Sequence, residues 1–211
     1  MYSTIAAHIL IFALVLHTGM NPVGSHSGEQ TSIAYSIGPG SELSITGTSN
    51  ITTFCCSSKQ QFPQGDLTYE WISDSRIKIS NANLVIDAQG LDCGHKPITR
   101  DFKRTLLVDK HPNILFVLHE LALRHDTVAE QSEWNWAVAD TEITIAGCSN
   151  HKFLNVQYKL IEDSSIELRA FTRLCVSDFG LESPKPMLGI IKVEDEVDVE
   201  IFMTVTFEGQ G

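Results

Sequence analysis

The segment Leu174–Phe207, LCVSDFGLESPKPMLGIIKVEDEVDVEIFMTVTF, decides the fold class. Its last part alternates: the six odd positions from Val197 to Phe207 are apolar, and five of the six even positions from Glu196 to Thr206 are polar. A period of two is typical of a β-strand with one buried and one solvated face. Because so long a strand cannot bury a face alone, the pattern predicts a sheet.

Similar β-rich patterns upstream predict that this sheet is antiparallel and closes on itself. Short turns join the expected strands in up-and-down order, and a meander of this length closes most simply into a barrel, which removes exposed edges. The alternation shifts by one between Ser80 and Asn83, which predicts a bulge there. The expected strand regions are Thr31–Ile37, Glu42–Thr46, Tyr69–Ile72, Arg76–Ala88, Asn113 onwards, Trp134–Ala146, Lys152–Ile161 and Ile166–Val176. Gly38–Ser41 is expected to be a turn.

One helix is predicted in this β-rich chain, at Pro97–Leu107. Thr99 is the expected N-cap, and Phe102 and Leu106 recur at the i, i+4 spacing of a helix face. Pro112 prevents helical structure soon afterwards. A single short amphipathic helix in a β protein usually covers an end of a barrel or sandwich, so we expect it in that position.

Composition limits the architecture and the partners. The chain has 211 residues, which allows one large domain or two small ones, and 43% of them are apolar, which is enough for a core. Its net charge of -11 argues against non-specific binding to nucleic acid or to anionic lipid surfaces, since both need a basic face.

The N-terminal run Ile5–Leu16, IAAHILIFALVL, has the length of a signal-peptide core and is too short to span a bilayer. Small residues precede an expected cleavage site after Ser25. We therefore expect a signal peptide at 1–25, a barrel domain at 31–208 and a periplasmic or secreted protein. Because no Lys or Arg precedes the run, a buried first strand or helix is the alternative.

No catalytic or metal-binding motif stands out. The five cysteines contain no Cys-x-x-Cys pair, and their odd number leaves at least one thiol free or paired with another molecule. The histidines within the expected barrel domain have no ligand spacing: His95, His111, His119, His125 and His151. Asp178, Asp195 and Glu196 form a candidate carboxylate group without an accompanying nucleophile or histidine motif. We therefore predict that the chain is not an enzyme and has no metal site.

Four elements of the sequence follow one another in an order that resembles a known family. They are Gly47–Ile51 ahead of an aromatic residue and a cysteine; Asp101-Phe102 with His111–Phe116; Ile143–Gly147; and Ser177–Leu181, followed by prolines, Leu188–Val193 and Asp195–Val197. Together they resemble the YceI-like family of exported bacterial proteins over residues 33–207. The chain departs from the family pattern at Ser177, where threonine is common, at Ser183–Pro186, where a proline pair is usual, and at Cys148-Ser149.

The resemblance implies an all-β, lipocalin-like antiparallel barrel of about eight strands with one short helix. It implies a long interior cavity, which in family members has been associated with a polyisoprenoid chain. It also implies a disulfide between Cys56 and Cys93, with Cys55 as the rival partner. The departures bear on the identity of the ligand more than on the fold.

The inward rows of such a barrel would be rich in aliphatic residues and almost free of charge, which suits a hydrocarbon chain. We therefore predict an exported carrier or sequestering protein for an amphiphilic isoprenoid-like lipid. A filled barrel with a structural or interaction role, and an unrecognised hydrolase, are the alternatives. The expected ligand contacts are Phe102, Leu106, Phe116, Leu118, Leu168, Ala170, Ile201 and Met203.

Partners other than this ligand are limited. No cofactor is expected beyond a bound polyisoprenoid or other long-chain lipid, and neither nucleic acid nor a membrane span is expected; a homodimer is left open. Trp134 and Trp136 share one strand face and either line the barrel mouth or cap the outer wall.

Overall fold

The computed structural model describes residues 29–124, 134–162, 164–185 and 189–208. The predicted signal peptide at 1–25 lies outside the described residues. In chain order the elements are β1 (Thr31–Ile37), β2 (Glu42–Ser49), β3 (Thr53–Ser58), β4 (Gly65–Ser73), β5 (Arg76–Asp87), α1 (Lys96–Thr105), β6 (Asn113–Arg124), β7 (Asn135–Ile145), β8 (Cys148–Glu162), β9 (Ser165–Cys175) and β10 (Val193–Glu208). Within the described part of the chain, no helix is both long and apolar enough to span a membrane.

Eight strands form a closed antiparallel ring. Their order is β1-β4-β5-β6-β7-β8-β9-β10, and β10 pairs back with β1. From β4 to β10 each strand pairs with the next one along the chain, which is the up-and-down order expected from the short turns. The prediction of an antiparallel barrel with one helix is therefore confirmed.

The last strand, β10, joins two parts of the sheet. One of its edges pairs with β9 along Glu196–Thr206, and the other pairs first with β2 and then with β1. β1 and β2 thus lie end to end along the same edge of β10. Between them, the Gly38 N–H donates to the Thr204 carbonyl oxygen at 2.7 Å. The expected turn at Gly38–Ser41 is present: Gly40 has a φ of 92°, and the Ser41 hydroxyl donates to the Gly38 carbonyl oxygen at 2.8 Å. The turn does not reverse the chain, which continues along the same partner strand.

Strand β5 contains a bulge at the position that the sequence predicts. The β5–β6 register shifts between Lys78 and Ala82, and Asn81 has a φ of 64°. An asparagine tolerates this left-handed conformation better than most residues. The bulge predicted from the shift in alternation is therefore present.

One end of the barrel is closed by α1 and packed side chains. Phe102 of the helix and Leu106 at its C-cap are buried in the core, which also contains Leu43 and Ile86. The Phe102 ring meets Phe54 edge to face, with centroids 6.5 Å apart. The helix therefore lies at an end of the barrel, as expected from its isolation in a β-rich chain.

The start of α1 differs from the prediction. His95 is the N-cap residue and makes no side-chain capping hydrogen bond, so the prediction of Thr99 as N-cap is wrong. The Thr99 hydroxyl donates to Asp92 Oδ1 at 3.1 Å and accepts the Cys93 N–H at 3.0 Å. Pro97 fits the first helical turn, where its missing N–H costs no intrahelical bond, so the helix begins before Thr99.

The connection between β9 and β10 is held at the same closed end. Lys152 Nζ donates to Asp178 Oδ2 at 2.6 Å, and Asn150 Nδ2 donates to the Asp178 carbonyl oxygen at 2.9 Å. Asp195 Oδ1 accepts the Ser177 N–H at 3.0 Å. Gly180 ends this turn with a φ of 69°, a conformation that favours glycine. The carboxylates of Asp178 and Asp195 therefore have structural partners.

Candidate functional site

The half of the barrel opposite α1 contains a cavity of about 310 Å³. It lies toward the β4–β5 and β8–β9 hairpins. Its wall is formed by the inward side chains of all eight ring strands: Ile33, Tyr35, Ile37, Leu67, Tyr69, Trp71, Ile77, Ile79, Ala82, Asn83, Leu84, Phe116, Leu118, Leu121, Leu123, Ala137, Ala139, Thr141, Leu154, Val156, Tyr158, Ile166, Leu168, Ala170, Ile201, Met203, Val205 and Phe207. Lining residues near the hairpins are half-buried, so the cavity reaches solvent at that end.

Small inward side chains keep this half of the barrel hollow. On β7 the inward positions run Ala137, Ala139 and Thr141 through the cavity, then Ile143 and Ile145 at the packed end. A ring of eight strands has an interior that large side chains just fill, so alanines leave space. The cavity therefore results from the volume of a few side chains.

The wall of the cavity is uncharged. None of its described lining residues is Asp, Glu, Lys, Arg or His, so an ionised ligand group would find no counter-charge there. Polar side-chain atoms come from three tyrosines, together with Trp71, Asn83 and Thr141. A ligand with a long apolar body and a small polar end matches this wall best.

All three tyrosines of the described chain line the cavity, and each has a raised pKa. Burial raises the pKa of Tyr158 above its usual value of 10.0. Burial is also the main cause for Tyr35, to which the Asp66 charge adds, and for Tyr69. The phenols are therefore neutral at physiological pH and can donate or accept hydrogen bonds, as Tyr69 does with the Thr31 side chain.

The structure brings six of the eight expected ligand contacts together. These six line the cavity: Phe116, Leu118, Leu168, Ala170, Ile201 and Met203. Phe102 and Leu106 lie instead in the packed core at the closed end. Their helical spacing correctly indicates a buried face, but it contains no information about which end of the barrel that face covers.

Sequence reasoning missed the polar part of the wall. Tyr69 and Trp71 alternate within a segment that is too short in the sequence pattern to show which face they share, because the strand that contains them is longer than predicted. Leu121 and Leu123 face inward because β6 shifts register between Leu118 and Glu120. Continued alternation beyond Leu118 would have placed them on the other face. Because of this bulge, a simple alternation of inward and outward residues does not identify the part of the lining that follows it.

The two tryptophans that shared a face lie on the outer wall. Trp136 is exposed and meets Phe171 edge to face, with centroids 5.8 Å apart. Lys159 and Arg169 both lie 5.0 Å from the Trp134 ring centroid, as cation–π partners. Neither ring lines the cavity. Of the two alternatives for these tryptophans, the barrel mouth and the outer wall, the structure therefore supports the outer wall.

A disulfide joins Cys56 of β3 to Cys93, which precedes α1. This is the pair implied by the family resemblance, and the rival Cys55 is an exposed free thiol. The bond ties the outer hairpin to the segment that leads into the helix. It therefore holds the closed end together and lies apart from the cavity.

These observations define a class of protein: a lipocalin-like antiparallel β-barrel, plugged at one end, with an uncharged apolar cavity at the other. The family model of the YceI-like domain matches residues 35–205. The chain therefore belongs to the YceI-like family.

Solved structures of other proteins share this fold. A polyisoprenoid binding domain from Saccharophagus degradans implicated in plant cell wall breakdown aligns with a TM-score of 0.56 at 11% identity, covering 83% of this chain and 99% of that one. Burkholderia cenocepacia BcnA aligns with a TM-score of 0.53 at 14% identity, covering 78% and 95%. Among curated proteins, none matches the chain significantly.

Proposed function

We propose that this protein is an exported, non-catalytic carrier or sequestering protein that holds an amphiphilic isoprenoid-like lipid in its barrel. The observation that carries the proposal is the cavity of about 310 Å³ whose described wall is apolar and uncharged. Burying hydrocarbon is favourable by about 25 cal/mol per Å² removed from water, so an alkyl or isoprenoid chain gains from entering it. The relative described as a polyisoprenoid binding domain supports the choice of an isoprenoid over other lipids.

The proposal includes an orientation for the lipid. The apolar tail would lie deepest, against Ala139, Ala170 and Ile201, where the wall offers no charge. The polar end would lie toward the open end, where tyrosine hydroxyls are available. Tyr35 and Tyr69 stand on adjacent strands there, since β1 pairs with β4.

Export of the protein is part of the same proposal. The predicted signal peptide and the Cys56–Cys93 disulfide support it, because disulfides persist in oxidising compartments. N-terminal sequencing of the protein isolated from its own host tests this part. A mature chain that begins at His26 supports export, whereas a chain that retains residues 1–25 contradicts it.

The main experiment compares two adjacent substitutions on β10. Met203→Trp places an indole in the cavity, whereas Phe202→Trp changes a ring on the outer face that packs against Arg169 at 5.7 Å. Protein purified from a host that makes isoprenoid lipids is extracted with organic solvent and analysed by mass spectrometry. We expect about one lipid per chain for the parent and for Phe202→Trp, and a loss of at least about tenfold for Met203→Trp.

Two results would contradict the proposal. An extract of the parent protein without stoichiometric lipid, together with no uptake of added isoprenoid alcohol, would remove the carrier function. Equal occupancy in Met203→Trp and the parent would show that the lipid binds elsewhere. Thermal unfolding of both variants shows whether they are folded. If Met203→Trp does not fold, Ala139→Leu serves as a second variant that obstructs the cavity.

A further inference from the structure

The outer wall of the barrel brings together three side chains that lie far apart in sequence: His119 on β6, Glu142 on β7 and His151 on β8. Their ligand atoms all lie within 4.8 Å of one another. Glu142 is directly opposite His151 in the β7–β8 register, and His119 occupies the register shift of β6. The two imidazole rings stack with centroids 5.4 Å apart.

This cluster is separate from the lipid cavity. On β7 the residues on either side of Glu142, Thr141 and Ile143, face the interior, so the Glu142 carboxylate faces outward. His151 also faces outward, and 63% of its side chain is exposed. Any ion bound here would therefore contact solvent and not the lipid.

One atom of the cluster has no partner. His119 Nε2 is buried from solvent and makes no hydrogen bond with any described residue. Buried polar nitrogens are almost always paired, and an unpaired one commonly marks the position of a water or an ion. Because a neutral imidazole nitrogen is also a strong metal ligand, this atom points to a bound cation.

The surroundings of His151 give a second, independent indication. Its Nδ1 lies 3.5 Å from Asp140 Oδ1, and its Nε2 lies 3.7 Å from Glu142 Oε2. A metal-binding histidine usually donates its other ring N–H to a carboxylate, which fixes its tautomer and orientation. Asp140 is placed to accept that proton from Nδ1, and this leaves Nε2 facing the cluster.

We propose that His119, Glu142 and His151 bind one divalent transition-metal ion of the zinc type, and that Asp140 is a positioning residue for His151. Two imidazoles and one carboxylate are a donor set that suits Zn²⁺, with solvent in a fourth position. Bonds of about 2.0–2.2 Å to a tetrahedral ion place ligand atoms roughly 3.4 Å apart. The exposed His151 side chain has the freedom to close the remaining distance.

Titration of the untagged protein with Co²⁺, a spectroscopic substitute for Zn²⁺, tests the site. We expect one ion per chain, with ligand-field absorption and no thiolate-to-cobalt band, because none of the three ligands is a cysteine. His119→Ala and His151→Ala are each expected to weaken binding at least about tenfold, and Asp140→Asn by a smaller factor. His95→Ala, an exposed histidine at the start of α1, is the matched control and should leave the affinity unchanged.

Several outcomes would overturn the proposal: binding that is absent, a thiolate band that identifies free Cys55, Cys148 or Cys175 as the ligand, or equal losses in His95→Ala and His151→Ala. Zn²⁺ should also raise the melting temperature of the parent but not that of His151→Ala. Because His151 is exposed, its substitution is expected to leave the fold intact, so the test stands even if His119→Ala unfolds.

Discussion

The two halves of this barrel are built from the same strands but differ in what fills them. Along β7 the inward residues change from Ala137 and Ala139 at the hollow half to Ile143 and Ile145 at the packed half. The β7–β8 pairing runs without a register shift from Asn135 to Ile145, so these two strands stay hydrogen-bonded along both halves.

This difference shows how a small barrel combines a stable fold with a binding site. The packed half contains the helix, the disulfide and the most buried aliphatic residues, so it supplies much of the stabilisation. The hollow half forgoes dispersion contacts between side chains, and a bound hydrocarbon would restore them. Substitutions in the two halves should therefore have different consequences.

The largest expected effect is from truncating a side chain in the packed half. Ile143 is fully buried, so Ile143→Ala should lower the unfolding free energy by about 2–5 kcal/mol. Leu168→Ala in the cavity wall should cost less than about 2 kcal/mol, because that side chain already borders empty space. Urea unfolding of lipid-free protein measures both, since bound lipid would add stability of its own. Equal losses at the two sites would mean that the halves do not differ in packing.

Removing the disulfide in the packed half should lower the stability of the fold without emptying the cavity. Cys56 and Cys93 are 37 residues apart, and closing a loop of that size stabilises a fold by about 4 kcal/mol in the chain-entropy model. Cys56→Ala with Cys93→Ala should lose most of this in urea unfolding, whereas Cys55→Ala, at an exposed free thiol, should change stability by less than about 0.5 kcal/mol. Lipid occupancy should stay near that of the parent at temperatures where the double variant is folded. A selective loss of lipid would show that the closed end controls the cavity.

Adding a small volume should have opposite signs in the two halves. Ala139→Val enlarges a side chain that faces the cavity and should raise stability by about 0.5–1 kcal/mol. Ala88→Val enlarges a residue that is 1% exposed within the packed core and should lower stability by about 1–3 kcal/mol. The comparison uses the same substitution and the same unfolding measurement. A stabilising Ala88→Val would refute dense packing at the closed end.

The smallest expected effect is on alkaline stability, and it belongs to the hollow half because all three described tyrosines lie there. Burial raises the pKa of Tyr158 in the folded chain above its unfolded value, so its contribution is fully present below about pH 10 and is lost as pH rises through the folded pKa. Tyr158→Phe should therefore reduce the fall of unfolding free energy above about pH 10. An unchanged slope would show that this phenol ionises equally in the folded and unfolded states.

Local pattern was sufficient for most of the fold. The strand prediction at Thr31–Ile37 matches β1, and the shift in alternation locates the β5 bulge. The sequence pattern was not sufficient where contact with a distant strand determines the conformation. The turn between β1 and β2 is visible in the sequence, but both strands share β10 as a partner, and the sequence does not show that the turn leaves the chain direction unchanged. Likewise, the buried face of α1 is visible in Phe102 and Leu106, but the end that it covers depends on the ring closure.

The sequence by itself determined that this chain is a β-barrel with a helix, because alternation of apolar and polar side chains is a local property of each strand. Only the tertiary structure decided that the barrel is hollow at one end. A cavity depends on the summed volume of the side chains that eight strands bring to one level of the barrel. The sequence of a single strand does not show that total volume. The same reasoning applies to the outer wall, where His119, Glu142 and His151 become neighbours only through the register of three strands.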